Sequence, residues 1–90
     1  MNLETLTVQL AEHVDAICAQ LFELFCERRR VVPMAYLMHG WPLPEHTDSW
    51  VSRLVDVLDE LMRSHYAHLK GDEKALIGVL LDLARRELRG

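Results

Sequence analysis

Residues 3–29 of the chain read LETLTVQLAEHVDAICAQLFELFCERR, a long stretch of regular hydrophobic spacing. Apolar side chains recur every three or four positions, and this period of about 3.6 residues predicts one long amphipathic helix. Glutamates occupy the opposite side of that helix, where solvent is expected. The apolar stripe consists of Leu3, Leu6, Leu10, Val14, Ile17, Leu21 and Leu24.

The connection that follows, residues 31–47, predicts a short helix. Val32 precedes Pro33, and a residue before proline is driven out of the helical conformation, so the first helix is expected to end here. Pro33 in turn suits the first turn of a new helix, and Gly40 suits the position just beyond its end. Two further prolines keep the chain extended after Trp41.

Two more long helices complete the pattern. Residues 48–70 carry a clear apolar stripe and follow Thr47 or Asp48, both of which suit the N-cap of a helix. Residues 73–88 form the last helix, with Asp72 as its cap. The sequence therefore predicts an all-α fold, a compact bundle of three long helices plus one short helix in the connection.

Composition and charge narrow the class of protein. The chain has 90 residues, of which 50% are hydrophobic and 27% charged, which indicates a single helical domain of residues 1–90. A formal net charge of −4 argues against a surface wholly devoted to nucleic acid. No apolar run approaches the ~20 residues of a membrane span, and the first residues lack the basic region of a signal peptide.

The two cysteines indicate the compartment. Cys18 and Cys26 lie on one predicted helix, about 12 Å apart along its axis, which is too far for a disulfide. We expect both thiols to be reduced and the protein to be cytoplasmic.

The last predicted helix carries more apolar surface than one neighbour would cover. Beyond its main apolar face it has Ile77, Leu81 and Leu88, which extend the apolar arc past half of the circumference. Such a helix needs neighbours on two sides. We expect a protein partner or a second copy in a homodimer, with Gly78 allowing a close approach; the alternative is a central position in the monomer. The expected main face consists of Ala75, Leu76, Val79, Leu80 and Leu83.

The segment 34–43 offers a second partner-binding surface. It contains Tyr36, Met38 and Trp41, residue types that are enriched at the energetic centres of protein interfaces. The prolines that follow would stiffen such an anchor and reduce the entropy lost on binding. The alternative is that this apolar connection closes the open end of the bundle.

Arginines lie in the last turns of the predicted helices. If the connection folds over one end of the bundle, the first and last helices finish at the same end, and their arginines share one pole. Such a pole could contact phosphate or an acidic protein surface. The alternative is that each arginine complements a helix dipole. The residues concerned are Arg28, Arg29, Arg30, Arg85, Arg86 and Arg89.

No set of residues predicts catalysis. Cys18 is expected to face the core, the few serines suit caps or solvent-facing positions, and no glycine-rich phosphate loop occurs. His65 and His68 are spaced to share a metal ion, yet two ligands do not complete a zinc site. We expect no catalytic residue, no metal and no cofactor.

These observations favour a small non-enzymatic protein–protein interaction module. We expect a self-associating regulator or inhibitor that docks on a larger protein, of the kind that mobile elements or phages encode. A nucleic-acid-associated regulator using the arginine pole is the first alternative, and phosphate contacts would make its binding strongly salt-dependent. A bundle that binds a metal or another ligand through His65 and His68 is the second.

Overall fold

Residues 3–89, the part of the chain that the computed structural model describes, form four α-helices that run alternately up and down. Side chains are described for residues 8–88. The bundle measures 41 × 20 × 18 Å and confirms the predicted all-α fold of three long helices and one short one. The helices are α1 (Leu3–Glu27), α2 (Val31–Gly40), α3 (Asp48–His65) and α4 (Gly71–Arg89), with a 3₁₀ turn at Tyr66–His68.

The core lies between the inward faces of the four helices. Buried residues recur at helical spacing on α1, α3 and α4, and each fully buried leucine or phenylalanine contributes roughly 1.5–3 kcal/mol of hydrophobic free energy. The side chains of Leu3 and Leu6, predicted to belong to the stripe of α1, lie outside the described residues. The largest buried side chains are Leu21 and Phe25 of α1, Leu37 of α2, Leu54, Leu58 and Leu61 of α3, and Ile77 and Leu80 of α4.

A Schellman motif ends α1. Arg29 has a left-handed backbone with φ of 55°, its N–H donates to the Cys26 carbonyl at 3.2 Å, and the Arg30 N–H donates to the Phe25 carbonyl at 2.8 Å. The expectation that proline stops this helix is wrong. Val32 is already helical in α2, because Pro33 stands in the first turn, where a missing N–H costs no hydrogen bond.

The short helix α2 returns along the side of the bundle between α1 and α3. At its far end the Trp41 indole donates to Asp15 Oδ1 at 2.8 Å, which places this end beside the middle of α1. Gly40 packs against α3, where an added Cβ would lie 3.0 Å from the Leu54 Cα. The connection thus supplies a fourth wall of the bundle and does not cover one end.

The helical glycines Gly40 and Gly78 differ in what surrounds them, and this predicts opposite responses to alanine. Gly40→Ala forces Leu54 to move, and we expect it to lower the free energy of unfolding by about 1–2 kcal/mol. Gly78→Ala meets no atom within 4 Å and should raise it by about 0.5–1 kcal/mol. The expected close approach at Gly78 is therefore absent from the described bundle. Urea unfolding of both variants measures the difference, and equal effects would contradict the packing of α2 on α3.

Among residues 3–89, no helix combines the length and the apolar character needed to cross a membrane.

Candidate functional site

The predicted arginine pole does not form. Arg28 Nη1 lies 2.8 Å from Asp72 Oδ1 at the start of α4, whereas Arg85 Nη2 lies 2.7 Å from Asp59 Oδ1 on α3. With α2 running back along the bundle, the chain makes three reversals, so α1 and α4 are antiparallel and end at opposite poles. Arg86 donates to the Asp82 carbonyl within α4, and the side chain of Arg89 lies outside the described residues.

A buried carboxylate ties the end of α1 to the start of α4. Glu73 is completely buried, and its Oε1 accepts from Arg30 Nη2 at 3.1 Å and from the Lys70 N–H at 2.8 Å. Its Oε2 accepts from Arg30 Nε at 3.2 Å and from Arg28 Nη1 at 3.4 Å. Arg30 also donates to the backbone carbonyl of His68. This network fixes both arginines as structural ties.

Glu73 occupies the N3 position of α4, and Lys70 is the N-cap, because the Lys70 carbonyl accepts the first helical bond from the Lys74 N–H at 2.9 Å. The bond from the Lys70 N–H to Glu73 is half of a capping box. The prediction that Asp72 is the cap is therefore wrong. A glutamate three residues after the cap was the available signal, but a lysine in place of serine or threonine hides it.

The Arg28–Asp72 pair predicts a loss of stability in acid. Hydrogen bonding from Arg28 lowers the pKa of Asp72 below its ordinary 3.8, so the folded protein binds this proton more weakly than the unfolded chain. The stabilisation is complete above the ordinary pKa and disappears as pH falls through the lowered one. We expect Asp72→Asn to reduce the fall in melting temperature between pH ~5 and ~2. Asp82→Asn is the control; an equal effect there would contradict the assignment.

Two of the three α4 residues predicted to bind a partner are not accessible to one. Ile77 and Leu81 are buried in the core, and Leu88 is half-buried against it. The core face of α4 is centred on Ile77, Leu80 and Ala84, about a quarter turn from the predicted main face. Val79, predicted to be part of that main face, is 57% exposed. The apolar excess of α4 is thus used mostly inside the monomer.

Only one of the three predicted anchors in the connection faces solvent. Trp41 is half-buried, with its ring centroid 5.7 Å from that of Phe22. Tyr36 is half-buried too, and its ring meets the edge of His65 at 5.4 Å. Met38 is 60% exposed. Trp41 and Tyr36 therefore hold α2 in place, while Met38 is available to a partner.

The outward side of α2 forms an uncovered, mainly apolar surface, which we call the α2 outer face: Val31, Val32, Ala35 and Met38, with the exposed His39 beside them. Val31 is 77% and Val32 48% exposed, and Ala35 is exposed as well. The sequence of α2, VVPMAYLMHG, contains no Asp, Glu, Lys or Arg. Its inward residues Pro33, Leu37 and Gly40 are buried.

A concavity of about 500 Å³ adjoins the N-terminal end of this face. We call it the basic concavity; it is lined by residues 28–33, His65, His68 and Leu69. Val31 and Val32 belong both to it and to the α2 outer face. The guanidinium of Arg29 makes no ion pair or hydrogen bond with any side chain in the described part of the molecule. The ring centroids of His65 and His68 are 6.4 Å apart.

The two cysteines differ in accessibility, which predicts their reactivity. Cys18 is buried, and burial raises the pKa of its thiol to about 12, with a further contribution from Asp15. Cys26 is exposed. We expect a thiol reagent at neutral pH to label one cysteine in the folded protein and both in denaturant. Equal labelling of both in native buffer would contradict the burial of Cys18.

Within the described residues, no three His, Cys, Asp or Glu side chains converge in a way that could hold a metal ion. Comparison of the chain with protein-family models, curated proteins and solved structures gave no match. The geometry of the site therefore has to support any functional conclusion by itself.

Proposed function

We propose that this chain is a small non-enzymatic protein–protein interaction module that docks on a larger partner through the α2 outer face. A regulator or inhibitor that acts by occupying its partner's surface fits this description. The observation that supports the proposal is a helix without Asp, Glu, Lys or Arg whose outward side is left in solvent. The helix α2 packs against α1 and α3, and these two neighbours leave its outward apolar residues without a cover.

We also propose that the chain self-associates, although the surface expected to form the dimer is largely buried. The residues expected to form the dimer surface include Ile77 and Leu81, which are buried in the monomer. The α2 outer face alone is small, since ten helical residues span about 15 Å, and a stable dimer buries roughly 800 Å² per subunit. The α2 outer face therefore suits a larger partner surface better than a second α2.

The two alternatives have lost their geometric support. The nucleic-acid reading relied on six arginines at one pole, and the structure separates them and pairs Arg28 and Arg30 internally. The metal-binding alternative relied on His65 and His68, and no third His, Cys, Asp or Glu side chain converges with them within the described residues.

The experiment compares two exposed apolar residues on different helices. Met38→Asp and Val79→Asp each place a charge at a similarly exposed position, 60% and 57%, but only the former lies on the α2 outer face. Each purified, folded variant is immobilised and exposed to a lysate of the cells that produce the protein. We expect a protein retained by the wild type and by Val79→Asp to be lost with Met38→Asp.

The retained protein is then purified, and its affinity for all three forms is measured directly. We expect Met38→Asp to weaken binding at least tenfold, because docking would bury the new carboxylate in an apolar interface. Identical binding by the wild type and Met38→Asp would overturn the proposal.

A further inference from the structure

We infer that the basic concavity receives an aspartate or glutamate of the docked partner, so that the partner segment is acidic where it passes the N-terminal end of α2. This inference rests on the proposed function, because the concavity adjoins the α2 outer face through Val31 and Val32. It adds the chemistry of the partner and the direction in which its charges lie along α2.

The charge available in the concavity comes mainly from Arg29. Arg28 and Arg30 also line it, but Asp72 and Glu73 neutralise them through the ion pairs described above. Arg29 is exposed and has no such partner within the described residues. A guanidinium donates two parallel hydrogen bonds to a carboxylate, which makes this side chain a specific donor to an acidic residue.

The rest of the concavity favours a peptide over a polyanion. Val31, Val32 and Leu69 give it an aliphatic wall, which a carboxylate side chain with an apolar neighbour can contact. Asp72 and Glu73 pair with Arg28 and Arg30, so the concavity keeps one unpaired cation, Arg29, among the described residues, which suits a single carboxylate better than a run of phosphates.

The opposite end of α2 is close to neutral. There Tyr36 and His39 border a second concavity to which α3 contributes Asp56 and Glu60. Glu60 is paired with Arg63 at 3.2 Å, so within the described part of the chain the lining retains one unpaired carboxylate, Asp56, and one cation, Arg53, which lies over the Trp50 ring at 5.8 Å. An acidic group on the partner is therefore attracted at the Val31 end of α2 and not at the His39 end, which orients it along the helix.

Arg29 offers a variant that removes the charge without harming the fold. Because Arg29 has a left-handed backbone, glycine relieves strain there, and Arg29→Gly should be at least as stable as the wild type. Arg86→Gln is the matched control, since it removes one exposed positive charge at the other pole. Melting curves of both variants verify folding before any binding measurement.

The probe is a displayed library of random peptides, selected on the wild-type protein. We expect the enriched peptides to combine an aspartate or glutamate with nearby aliphatic residues. A synthetic peptide of this kind should bind Arg29→Gly about tenfold more weakly than the wild type and bind Arg86→Gln unchanged. Replacing its acidic residue by the amide should weaken binding to the wild type equally and have no further effect on Arg29→Gly.

The outcomes separate this inference from the function on which it rests. If Met38→Asp abolishes binding of the peptide while Arg29→Gly and the amide peptide bind normally, docking on α2 stands and the acidic partner is overturned. Binding that both Met38→Asp and Arg29→Gly leave intact overturns both. A library that yields no binder, or only peptides without acidic residues, overturns the inference, as does Arg29-dependent binding of a DNA duplex in place of these peptides.

Discussion

Replacing Glu73 by alanine is expected to lower the free energy of unfolding by about 3 kcal/mol. The carboxylate is completely buried and accepts four hydrogen bonds, three from guanidinium groups and one from the Lys70 N–H. Breaking a buried ion pair from one side costs roughly 3–5 kcal/mol, because the remaining charge loses its partner. We place the loss at the lower end, since the Arg28 and Arg30 side chains keep 34% and 23% exposure to water.

Glu73→Gln is the matched control for this prediction. Its amide oxygen can still accept from the Lys70 N–H and Arg30 Nη2, whereas the amide nitrogen that replaces Oε2 cannot accept from Arg30 Nε or Arg28 Nη1. We expect about half of the loss measured for alanine, by urea unfolding at neutral pH. An alanine variant within about 0.5 kcal/mol of the wild type would contradict the network that joins α1 to α4.

The second large effect is expected at Ile77. Ile77→Ala should destabilise the protein by about 2–4 kcal/mol, because the side chain is completely buried and its loss leaves a cavity. Val79→Ala, two residues further along α4 at a largely exposed position, should change stability by less than about 0.5 kcal/mol. Thermal or urea unfolding of the two variants gives the comparison. A larger loss for Val79→Ala would mean that α4 presents the other side to the core.

Much of the fold follows from local patterns in the sequence. The apolar period of residues 3–29 predicts α1, and the Thr47 hydroxyl confirms its expected role by accepting the Trp50 N–H at the start of α3. These features depend on neighbours within one or two turns of a helix, so a single sequence is enough to reveal them. The burial of Cys18, on the same stripe of α1, is confirmed for the same reason.

The sequence-based predictions that are wrong concern features that depend on contacts between residues far apart in the chain. No local signal marks Arg29 for a left-handed backbone, since most helices that end in this way use glycine. The course of α2 decides whether α1 and α4 end together, and that course depends on the packing of Gly40 against Leu54. The prediction for the arginines is therefore wrong because the predicted topology is wrong. The four helices themselves are present as predicted, except that α3 ends at His65 and not at Lys70, with a 3₁₀ turn after it.

The candidate site could be recognised only in part. The sequence of residues 34–43 indicates an apolar connection with potential anchors, but α2 is apolar all round and has no periodicity to distinguish its two sides. Only the structure shows that Trp41 packs against Phe22 while Met38 faces solvent. The sequence of α4 is ambiguous in the same way. Whether Ile77 or Val79 lies in the core depends on the helices that pack against α4.

Docking through the α2 outer face is tested most directly by mapping where a bound peptide lies. A titration of the isotope-labelled protein with the library-selected peptide, followed by amide NMR spectra, gives the perturbed residues. We predict the largest shifts in α2, at Val31, Val32 and Met38, and in the adjoining Arg29. Shifts concentrated around Val79 on α4, with α2 unaffected, would contradict the account.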